Sequence, residues 1–517
     1  MGRLERQLRD YLREGRYPFH MPGHKRRNVT GAALPYELDL TELPATDDLH
    51  AAEGILREAM ARTAALYRVR RCWYLVNGST CGNLAGIFAV TRQGGEILCA
   101  RNCHRSVFHA IQLRGLRVHW LLPEYEEAFG IFGSILPARV SELLRQYPGT
   151  EAVVLTSPTY EGVVSDIREI AARCHAAGVP LLVDEAHGAH FSLEGFLSRE
   201  MPAETAEKNG EPRRFPGSAA ELGADLVIQS PHKTLPSLTQ TGWLHLCTER
   251  VEAKRVEEML GIFESSSPSY PLLLSLDSCT ELLLEEGSAY FRRWQKQLGE
   301  FYRKLRGLRH FRLLYPFFLR EKGRAAGARA IFDCDASKIL VNAGDSGWYG
   351  EELLRMLRER FSLELEMSAG SNVLAMSAMT DDREGYQRLA AALLALDREA
   401  EKRKREAGAD DEQAERREAG EEPVRELLRT IGASLPESCL RLSEAAEKER
   451  RSVRLMEAAG RIAGEYVYLY PPGIPLLLPG ERIRPVQLHY MEALRERSVT
   501  LHFSESGRDS RTISVLL

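Results

Sequence analysis

A lysine at the end of an apolar run is the first residue suited to unusual chemistry. Lys233 lies in SPHKT, residues 230–234, directly after a strand predicted over residues 225–229. Burial at such a place lowers the pKa of a lysine, and Schiff-base chemistry requires the neutral amine. A solvated lysine in a surface loop is the alternative that this pentapeptide leaves open.

Asp184 ends a second apolar run. Residues 180–183 lead into DEAHGAH, residues 184–190, so a carboxylate stands where an open α/β sheet binds its ligands. A pyridoxal cofactor withdraws electrons only while its ring nitrogen is protonated, and a buried carboxylate beside that nitrogen holds the proton. Asp184 and Lys233 at two strand ends are the arrangement this cofactor needs. A helix N-cap with charges in the first turn is the competing interpretation.

Two further polar segments follow predicted strands. NGSTCGN, residues 77–83, combines small residues with the hydroxyls of Ser79 and Thr80, which favours phosphate binding at a helix N-terminus. A simple turn with a helix cap would contain the same residues. RNCHRS, residues 101–106, contains His104, whose neutral ring can stack on a pyridine ring. A purely structural His104 is the alternative.

The elements that must position these residues alternate along the chain. Short β-rich runs are separated by helix-length amphipathic segments, which predicts βαβ units and an α/β fold with a mostly parallel sheet. Strands are predicted at residues 72–76, 96–99, 118–122, 152–156, 180–184 and 225–229. The candidate residues follow these strands and therefore meet at the carboxyl edge of the sheet.

The length of 517 residues predicts several domains. A surface insertion is predicted at residues 198–218, and the charged residues 399–422 are either a solvated helix or an exposed linker. The predicted division is an N-terminal segment (1–40), a large cofactor-binding domain (41–275), a small α/β domain (276–398), a charged linker (399–424) and a C-terminal domain (425–517).

Composition favours a small-molecule partner. A net charge of -4 gives no attraction for nucleic acid or an anionic membrane, and no apolar run reaches the ~18 residues of a membrane span. The N-terminus lacks the apolar core of a secretory signal, and the nine scattered cysteines are typical of free thiols in the cytoplasm. Cys99, Cys103 and His104 lack a second ligand cluster, so we expect no metal.

The sequence resembles the bacterial ornithine/lysine/arginine decarboxylases, which are fold-type I enzymes dependent on pyridoxal 5′-phosphate. The motifs that carry the resemblance are FHMPGHK (19–25), DDLH (47–50), NGST (77–80), RNCHRS (101–106), SPTYEG (157–162), DEAHGAH (184–190), SPHKTLPSLTQT (230–241), SPSY (267–270) and YPPGIPLLLPGE (470–481). They occur in the family's order almost from end to end, and their co-occurrence is specific. Because the first motif begins at residue 19, the resemblance implies the compact form without the N-terminal wing.

The resemblance implies a role for each candidate residue. Lys233 forms the Schiff base, Asp184 pairs with the ring nitrogen, and His104 and Ala186 lie on opposite faces of the ring. The phosphate ligands implied are Ser79, Thr80, Ser230 and His232. In this family a hydroxyl of the neighbouring subunit also binds the phosphate. Residues 265–267, all serine, lie in the matching region of this sequence, and we assign the role to Ser266. The resemblance therefore implies a homodimer or even-numbered homo-oligomer in which each active site is built from two subunits.

The implied reaction is decarboxylation of a basic amino acid to its amine and carbon dioxide, as in polyamine metabolism. Lys233, His232 and His187 are the candidates for returning a proton to Cα, and the sequence does not rank them. Glu366 is the expected partner of the distal cation of the substrate. Ala369 stands where the family usually has another acid, so arginine, lysine and ornithine remain alternatives.

Two rival functions use the same scaffold. A transaminase must hold the substrate carboxylate, usually with an arginine of the small domain, and residues 363–377 contain no arginine. A non-catalytic protein that binds the cofactor or an amino acid is the other rival. The presence of Asp184, His104 and Lys233 together argues against it.

Overall fold

The computed structural model describes residues 2–28, 30–197, 215–315, 330–407, 435–469, 474–496, 501–508 and 511–517. The helices are α1 (Arg3–Arg13), α2 (Ile55–Tyr67), α3 (Gly78–Val90), α4 (Arg105–Arg114), α5 (Pro137–Gln146), α6 (Ile167–Ala176), α7 (Leu193–Leu197), α8 (Ala253–Phe263), α9 (Tyr270–Lys304), α10 (Gly350–Phe361), α11 (Arg383–Ala407), α12 (Leu442–Ala446) and α13 (Pro485–Glu496). Short 3₁₀ turns lie at Pro231–Lys233, Gly344–Ser346 and Leu455–Ala458.

The strands fall into one large sheet and several smaller ones. Those of the large sheet are β1 (Arg71–Leu75), β2 (Glu96–Ala100), β3 (Arg117–Leu121), β6 (Thr150–Thr156), β8 (Leu181–Asp184), β9 (Leu226–Gln229) and β10 (Gly242–Leu246). The others are β4 (Tyr125–Glu126), β5 (Ile131–Phe132), β7 (Val163–Val164), β11 (Arg312–Leu314), β12 (Asp333–Cys334), β13 (Lys338–Asn342), β14 (Met367–Ala369), β15 (Asn372–Met376), β16 (Arg450–Arg454), β17 (Val467–Leu469), β18 (Ile474–Leu477), β19 (Leu501–Phe503), β20 (Gly507–Arg508) and β21 (Thr512–Leu516).

The large sheet has the strand order β1-β10-β9-β8-β6-β2-β3 within the described residues. All six predicted strands are confirmed, with ends that differ by one or two residues. The strands from β9 to β3 are parallel, as predicted. The prediction missed β10, which pairs antiparallel with both β1 and β9. Buried apolar residues fill these strands, as is typical of strands covered on both faces.

Helix α3 packs tightly on this sheet because it carries glycine where the two surfaces meet. A Cβ on Gly82 would lie 2.7 Å from Leu75 Cδ1 and 3.0 Å from Ile228 Cγ2. The close approach brings the N-terminus of α3, with Ser79, beside the carboxyl end of the sheet. The predicted phosphate-binding segment is therefore the start of a helix that the core holds in place.

A smaller antiparallel sheet, ordered β11-β13-β15-β14, follows the long helix α9. The chain after residue 435 forms its own apolar cluster, which includes Val467, Leu477 and Ile513. The domain division remains a prediction, and its boundary at residue 275 falls inside α9. The stretch 399–422 begins as the last turns of α11, and the rest lies outside the described residues, as do residues 198–214 of the predicted insertion.

No helix in the described part of the chain is long and apolar enough to cross a membrane. The nine cysteines are all described, and each is a free thiol. Seven of them are buried in the protein interior, whereas Cys247 and Cys439 are half-buried. The predicted free thiols are thus present.

Candidate active site

Asp184 lies at the carboxyl end of β8, with 2 % of its surface exposed. Its Oδ2 accepts a hydrogen bond from Nδ2 of Asn83 at 2.9 Å, and its Oδ1 accepts from the backbone N–H of Ala186 at 3.1 Å. Asn83 Nδ2 also donates to Oγ of Ser106 at 3.0 Å. A buried carboxylate with these donors is fixed in one orientation.

His104 is the N-cap of α4 and is oriented by the same network. Its Nδ1 accepts from the backbone N–H of Ser106 at 3.2 Å and lies 2.8 Å from the Ser106 hydroxyl. Because the hydroxyl accepts from Asn83, it is free to donate its own proton to Nδ1. Burial lowers the pKa of His104 to about 4, with Lys233 acting in the same direction and Asp184 against it. His104 is therefore a neutral ring with its proton on Nε2.

Lys233 ends the 3₁₀ turn that follows β9, and its Nζ lies 3.0 Å from Nε2 of His187. Burial lowers the pKa of Lys233, and the carboxylates of Asp184 and Glu366 oppose this effect. The other ring nitrogen of His187, Nδ1, lies 2.8 Å from Nζ of Lys338 in β13. The site thus contains two lysines joined by one imidazole.

Two of the predicted phosphate ligands lie together. The hydroxyl of Ser230 donates to Oγ of Ser79 at 2.9 Å, which joins the end of β9 to the start of α3. Thr80 lies beside Ser79 in the first turn of α3 and is exposed. The Nδ1 of His232 bonds to the carbonyl of Thr241 at 2.8 Å. Hydroxyls and a helix N-terminus at one point form an anion-binding arrangement.

Residues 265–267 follow α8 close to this point. Glu264 accepts a hydrogen bond from the backbone N–H of Val76 at 2.6 Å, which ties the end of α8 to the end of β1. The Ser265 carbonyl lies 3.0 Å from Nε2 of His50. Ser266 and Ser267 are exposed. The segment is thus fixed on its own subunit while these two side chains face outward.

Glu366 lies at the edge of the site, directly before strand β14 of the smaller sheet. It is exposed and accepts a hydrogen bond from the hydroxyl of Tyr160. The ring of Tyr160 lies 4.6 Å from that of His187, between centroids. Ala369 lies three residues on, in β14. The predicted substrate carboxylate is therefore connected to the lysine pair through an aromatic side chain.

The structure brings the predicted residues Asp184, His104, Lys233 and His187 together, and the pKa values of His104, His187 and Lys233 are each shifted in part by the charge of another of these residues. Their chemical roles remain predictions. The sequence reasoning missed four members of the site: Asn83, Ser106, Tyr160 and Lys338. Lys338 had a detectable signal, because it opens KILVN, an apolar run in which all five residues are buried. Asn83, Ser106 and Tyr160 lay within quoted motifs without an assigned role.

Comparison with known proteins covers nearly the whole chain. The family model "Orn/Lys/Arg decarboxylase, major domain" matches residues 3–321, and the C-terminal domain model matches residues 429–501. The uncharacterized protein YaaO of Bacillus subtilis is 34% identical over 494 residues, 93% of this chain and 91% of YaaO. An arginine decarboxylase of the same organism is 29% identical over 485 residues, 92% of this chain and 89% of that protein.

Solved structures show the same fold. The lysine decarboxylase LdcF of Francisella novicida superposes with a TM-score of 0.79 at 19% identity, over 100% of this chain and 81% of LdcF. Lysine decarboxylase A of Pseudomonas aeruginosa gives a TM-score of 0.77 at 20% identity, over 100% of this chain and 80% of that enzyme. The predicted fold class, a fold-type I α/β architecture with a mostly parallel sheet, is confirmed. With both domain models and the full-length relatives in agreement, the chain belongs to the Orn/Lys/Arg decarboxylase family.

Proposed function

We propose that this protein uses pyridoxal 5′-phosphate to decarboxylate a basic amino acid to the corresponding amine and carbon dioxide. The observation that carries the proposal is the buried Asp184 and the half-buried Lys233 at the carboxyl ends of adjacent strands, with the neutral His104 coupled to both. The family supports the same reaction class, since relatives include proteins named arginine decarboxylase and lysine decarboxylase.

The residues present fit this cofactor. Among the described residues, the buried Asn83 Oδ1, Asn102 Oδ1 and Thr156 Oγ1 have no hydrogen-bond partner. Asn83 bonds to Asp184, Thr156 is the register partner of Asp184 in the sheet, and Asn102 lies two residues before His104. Buried polar atoms without partners are costly, so those of Asn83 and Thr156 beside Asp184 support a polar ligand at this point.

Each residue would then act on a different part of the cofactor. Asp184 would hold the proton of the ring nitrogen, Lys233 would bind the aldehyde carbon, and His104 would cover one ring face. The phosphate would be held by Ser79, Ser230, Thr80 and His232, with Ala186 beneath the ring. The bound cofactor supplies an electron sink for the pair of electrons released when the carboxylate leaves Cα.

The chain itself must return a proton to Cα. Lys233 and His187 are in hydrogen-bond contact at 3.0 Å, so either can deliver a proton that it carries itself or receives from the other. His232 lies in the same turn as Lys233, but its Nδ1 is committed to the Thr241 carbonyl. We therefore propose Lys233 and His187 as the donor pair, with His232 as the alternative through its Nε2.

The distal group of the substrate would meet Glu366. This carboxylate is exposed at the edge of the site and is oriented by Tyr160, as a partner for a guanidinium or an ammonium group should be. We propose a basic amino acid as the substrate class and keep arginine, lysine and ornithine as alternatives. The amine formed would be a polyamine or a precursor of one.

The deciding experiment combines an assay with a covalent label. The purified protein is incubated with the cofactor and each of the three amino acids, and carbon dioxide and product amine are measured. In a parallel sample, borohydride reduction and peptide mapping should find a pyridoxyl group on Lys233. Lys233→Ala should lose label and activity, whereas Lys296→Ala, on the exposed face of α9, should keep both.

Three other results would reject the proposal or narrow it. Label on another lysine would reject the assigned role of Lys233. A keto acid as product would show transamination, and binding without turnover would show a non-catalytic protein. We also propose a cytoplasmic location, because nine free thiols favour a reducing compartment.

A further inference from the structure

A second lysine reaches the candidate site from the smaller sheet. Lys338 opens β13 with 1 % of its surface exposed, and its Nζ lies 2.8 Å from Nδ1 of His187. On the other side of the ring, Nε2 lies 3.0 Å from Nζ of Lys233. One imidazole thus connects a buried amine to the amine that carries the proposed chemistry.

A neutral imidazole has one N–H donor and one acceptor nitrogen, so it cannot accept hydrogen bonds from both amines. Burial, together with the charges of Lys233 and Lys338, lowers the pKa of His187 well below its usual range, which keeps the ring neutral. One lysine must then donate to the ring while the other accepts from it. Because an amine accepts only through its lone pair, at least one of the two lysines must be neutral, so they hold at most one excess proton between them.

We propose that Lys338 is a positioning residue that takes up, through His187, the proton that Lys233 must lose to become a nucleophile. The N–H bond of the Lys233 ammonium breaks as an N–H bond forms at Nε2, and the bond at Nδ1 breaks as one forms on Lys338. The products are a neutral Lys233, a neutral His187 and an ammonium at Lys338, with no net change in charge. This role rests on the proposed function, because it matters only if Lys233 binds an aldehyde.

The surroundings of Lys338 are suited to receiving a proton. Burial lowers the pKa of Lys338 to about 7, the carboxylates of Asp335, Glu161 and Glu366 raise it, and the charge of Lys233 lowers it. When Lys233 gives up its proton, that repulsion ends and Lys338 becomes more basic. The other groups that act on the two amines and the ring are Asp184, His104 and His232.

Two contacts keep this connection in place. His190, which is fully buried, lies 3.1 Å from Oγ1 of Thr234 and 3.3 Å from Oδ1 of Asp335, so it joins the segments that carry the two lysines. Gly162 has φ +94°, and a Cβ there would lie 2.7 Å from Cβ of Lys338. A side chain at residue 162 would displace the stem of Lys338, so this close contact requires glycine.

The test is the pH profile of Lys233 acetylation in the full-length protein without cofactor, followed by peptide mass spectrometry. Lys338→Met should keep the proton on Lys233 and slow its acetylation near neutral pH about tenfold, the factor that one pKa unit represents. Lys338→Arg keeps a permanent donor to Nδ1, so Lys233 should remain neutral and react at least as fast as in the wild type. The exposed Lys254 and Lys296 are references within each sample.

A double-mutant cycle separates the connection through the ring from charge alone. His187→Phe should slow acetylation of Lys233 as much as Lys338→Met does, and adding Lys338→Met to it should change nothing further. A purely structural Lys338 would give Met and Arg variants that shift together or not at all, and either result overturns the proposal. Unchanged acetylation of Lys233 in His187→Phe overturns it as well.

Circular dichroism and the two reference lysines identify variants that do not fold. If both Lys338 variants are lost in this way, the result for His187→Phe decides alone. The proposed function fails independently, by the absence of a pyridoxyl group on Lys233 after reduction. A labelled Lys233 whose acetylation does not depend on Lys338 would refute only the role of Lys338.

Discussion

Asp184 accepts hydrogen bonds from two donors, the side-chain amide of Asn83 and the backbone N–H of Ala186. Among the described contacts, no cation is bonded to it. Both donors fix the orientation of the carboxylate that would face a pyridine nitrogen. Under the proposed function, the charge of Asp184 would contribute most to the loss of carbon dioxide and much less to binding of the cofactor. Its removal should therefore affect turnover more than binding.

We predict that Asp184→Ala will still form the covalent bond between the cofactor and Lys233 but will lose decarboxylation by several orders of magnitude. Absorbance and borohydride labelling report the bond, and steady-state kinetics report turnover. The control is Asp166→Ala. It removes the N-cap of α6, whose side chain accepts a hydrogen bond from the backbone N–H of Glu169, and should leave turnover near the wild-type value. A loss of only a few-fold in Asp184→Ala would show that this carboxylate is structural.

At the scale of the elements, β10 carries a buried histidine into the large sheet, one strand in from the edge strand β1. Nε2 of His245 lies 2.9 Å from Oε1 of Gln229, whose Nε2 donates to Glu185 at 2.7 Å. The amide oxygen of Gln229 thus receives the proton of the ring. The Nδ1 atom of His245 is buried without a partner in the described structure. A second ring proton would have no acceptor, and burial lowers the pKa of His245 to about 3.

The sign of the resulting pH effect follows from this lowered pKa. Below about pH 6.5 the unfolded chain binds a proton at His245 that the folded protein does not, so stability falls as the pH drops. Between neutral pH and pH 5 the wild type should lose about 2 kcal/mol more than His245→Gln, as measured by urea unfolding. His489→Gln, on the exposed side of α13, should follow the wild type. Equal slopes for wild type and His245→Gln would contradict the prediction.

The same strand shows why part of the fold escaped prediction. The six strands found from the sequence precede the polar segments that singled them out, whereas GWLHL in β10 begins with a glycine, and Nε2 of its His245 is satisfied only by a tertiary contact. The contact between Asn83 and Asp184 depends on the strand order, which brings together residues separated by 101 positions. Lys338 belongs to the smaller sheet, whereas His187 follows a strand of the large sheet, so their contact depends on how the two sheets pack. Motifs predicted the residues at the strand ends, but not the partners that orient them.

At the scale of the whole molecule, a buried ion pair joins the large sheet to the C-terminal region. Arg101 Nη2 lies 3.2 Å from Oε2 of Glu481, and the side chains are only 5% and 3% exposed. Arg101 also donates to the carbonyl of Pro475 at 2.9 Å and lies over the ring of Trp120. Because Arg101 precedes His104 by three residues, this contact connects the C-terminal region to the candidate site.

We predict that Glu481→Leu will destabilise the protein by about 3–5 kcal/mol, since it leaves a buried guanidinium without its carboxylate. Replacing both Arg101 and Glu481 by leucine should recover part of that loss, because no charge is then buried. Urea unfolding measures both variants. Glu437→Ala breaks the exposed pair with Arg482 and should have little effect. A double variant less stable than Glu481→Leu would contradict this account.

Assembly gives the last prediction, which rests on our proposal that the protein is a homodimer or an even-numbered oligomer with shared sites. Ser266 and Ser267 are exposed although Glu264 fixes their segment to the end of β1, so their hydroxyls are available to a neighbouring subunit. A hydroxyl bonded to a phosphate is worth on the order of 1.5–3 kcal/mol, so its loss should weaken cofactor affinity roughly tenfold or more.

We predict that subunits with Lys233→Ala and subunits in which Ser265, Ser266 and Ser267 are all alanine will complement each other. At limiting cofactor each protein alone should be inactive or nearly so, whereas a mixed dimer regains one site with both Lys233 and intact serines. The control combines Lys233→Ala with the three serine substitutions in one chain. Mixed with Lys233→Ala subunits, it should restore nothing, because no site then contains the lysine. Failure to complement despite confirmed subunit exchange, or a fully active monomer in sedimentation, would reject the shared site.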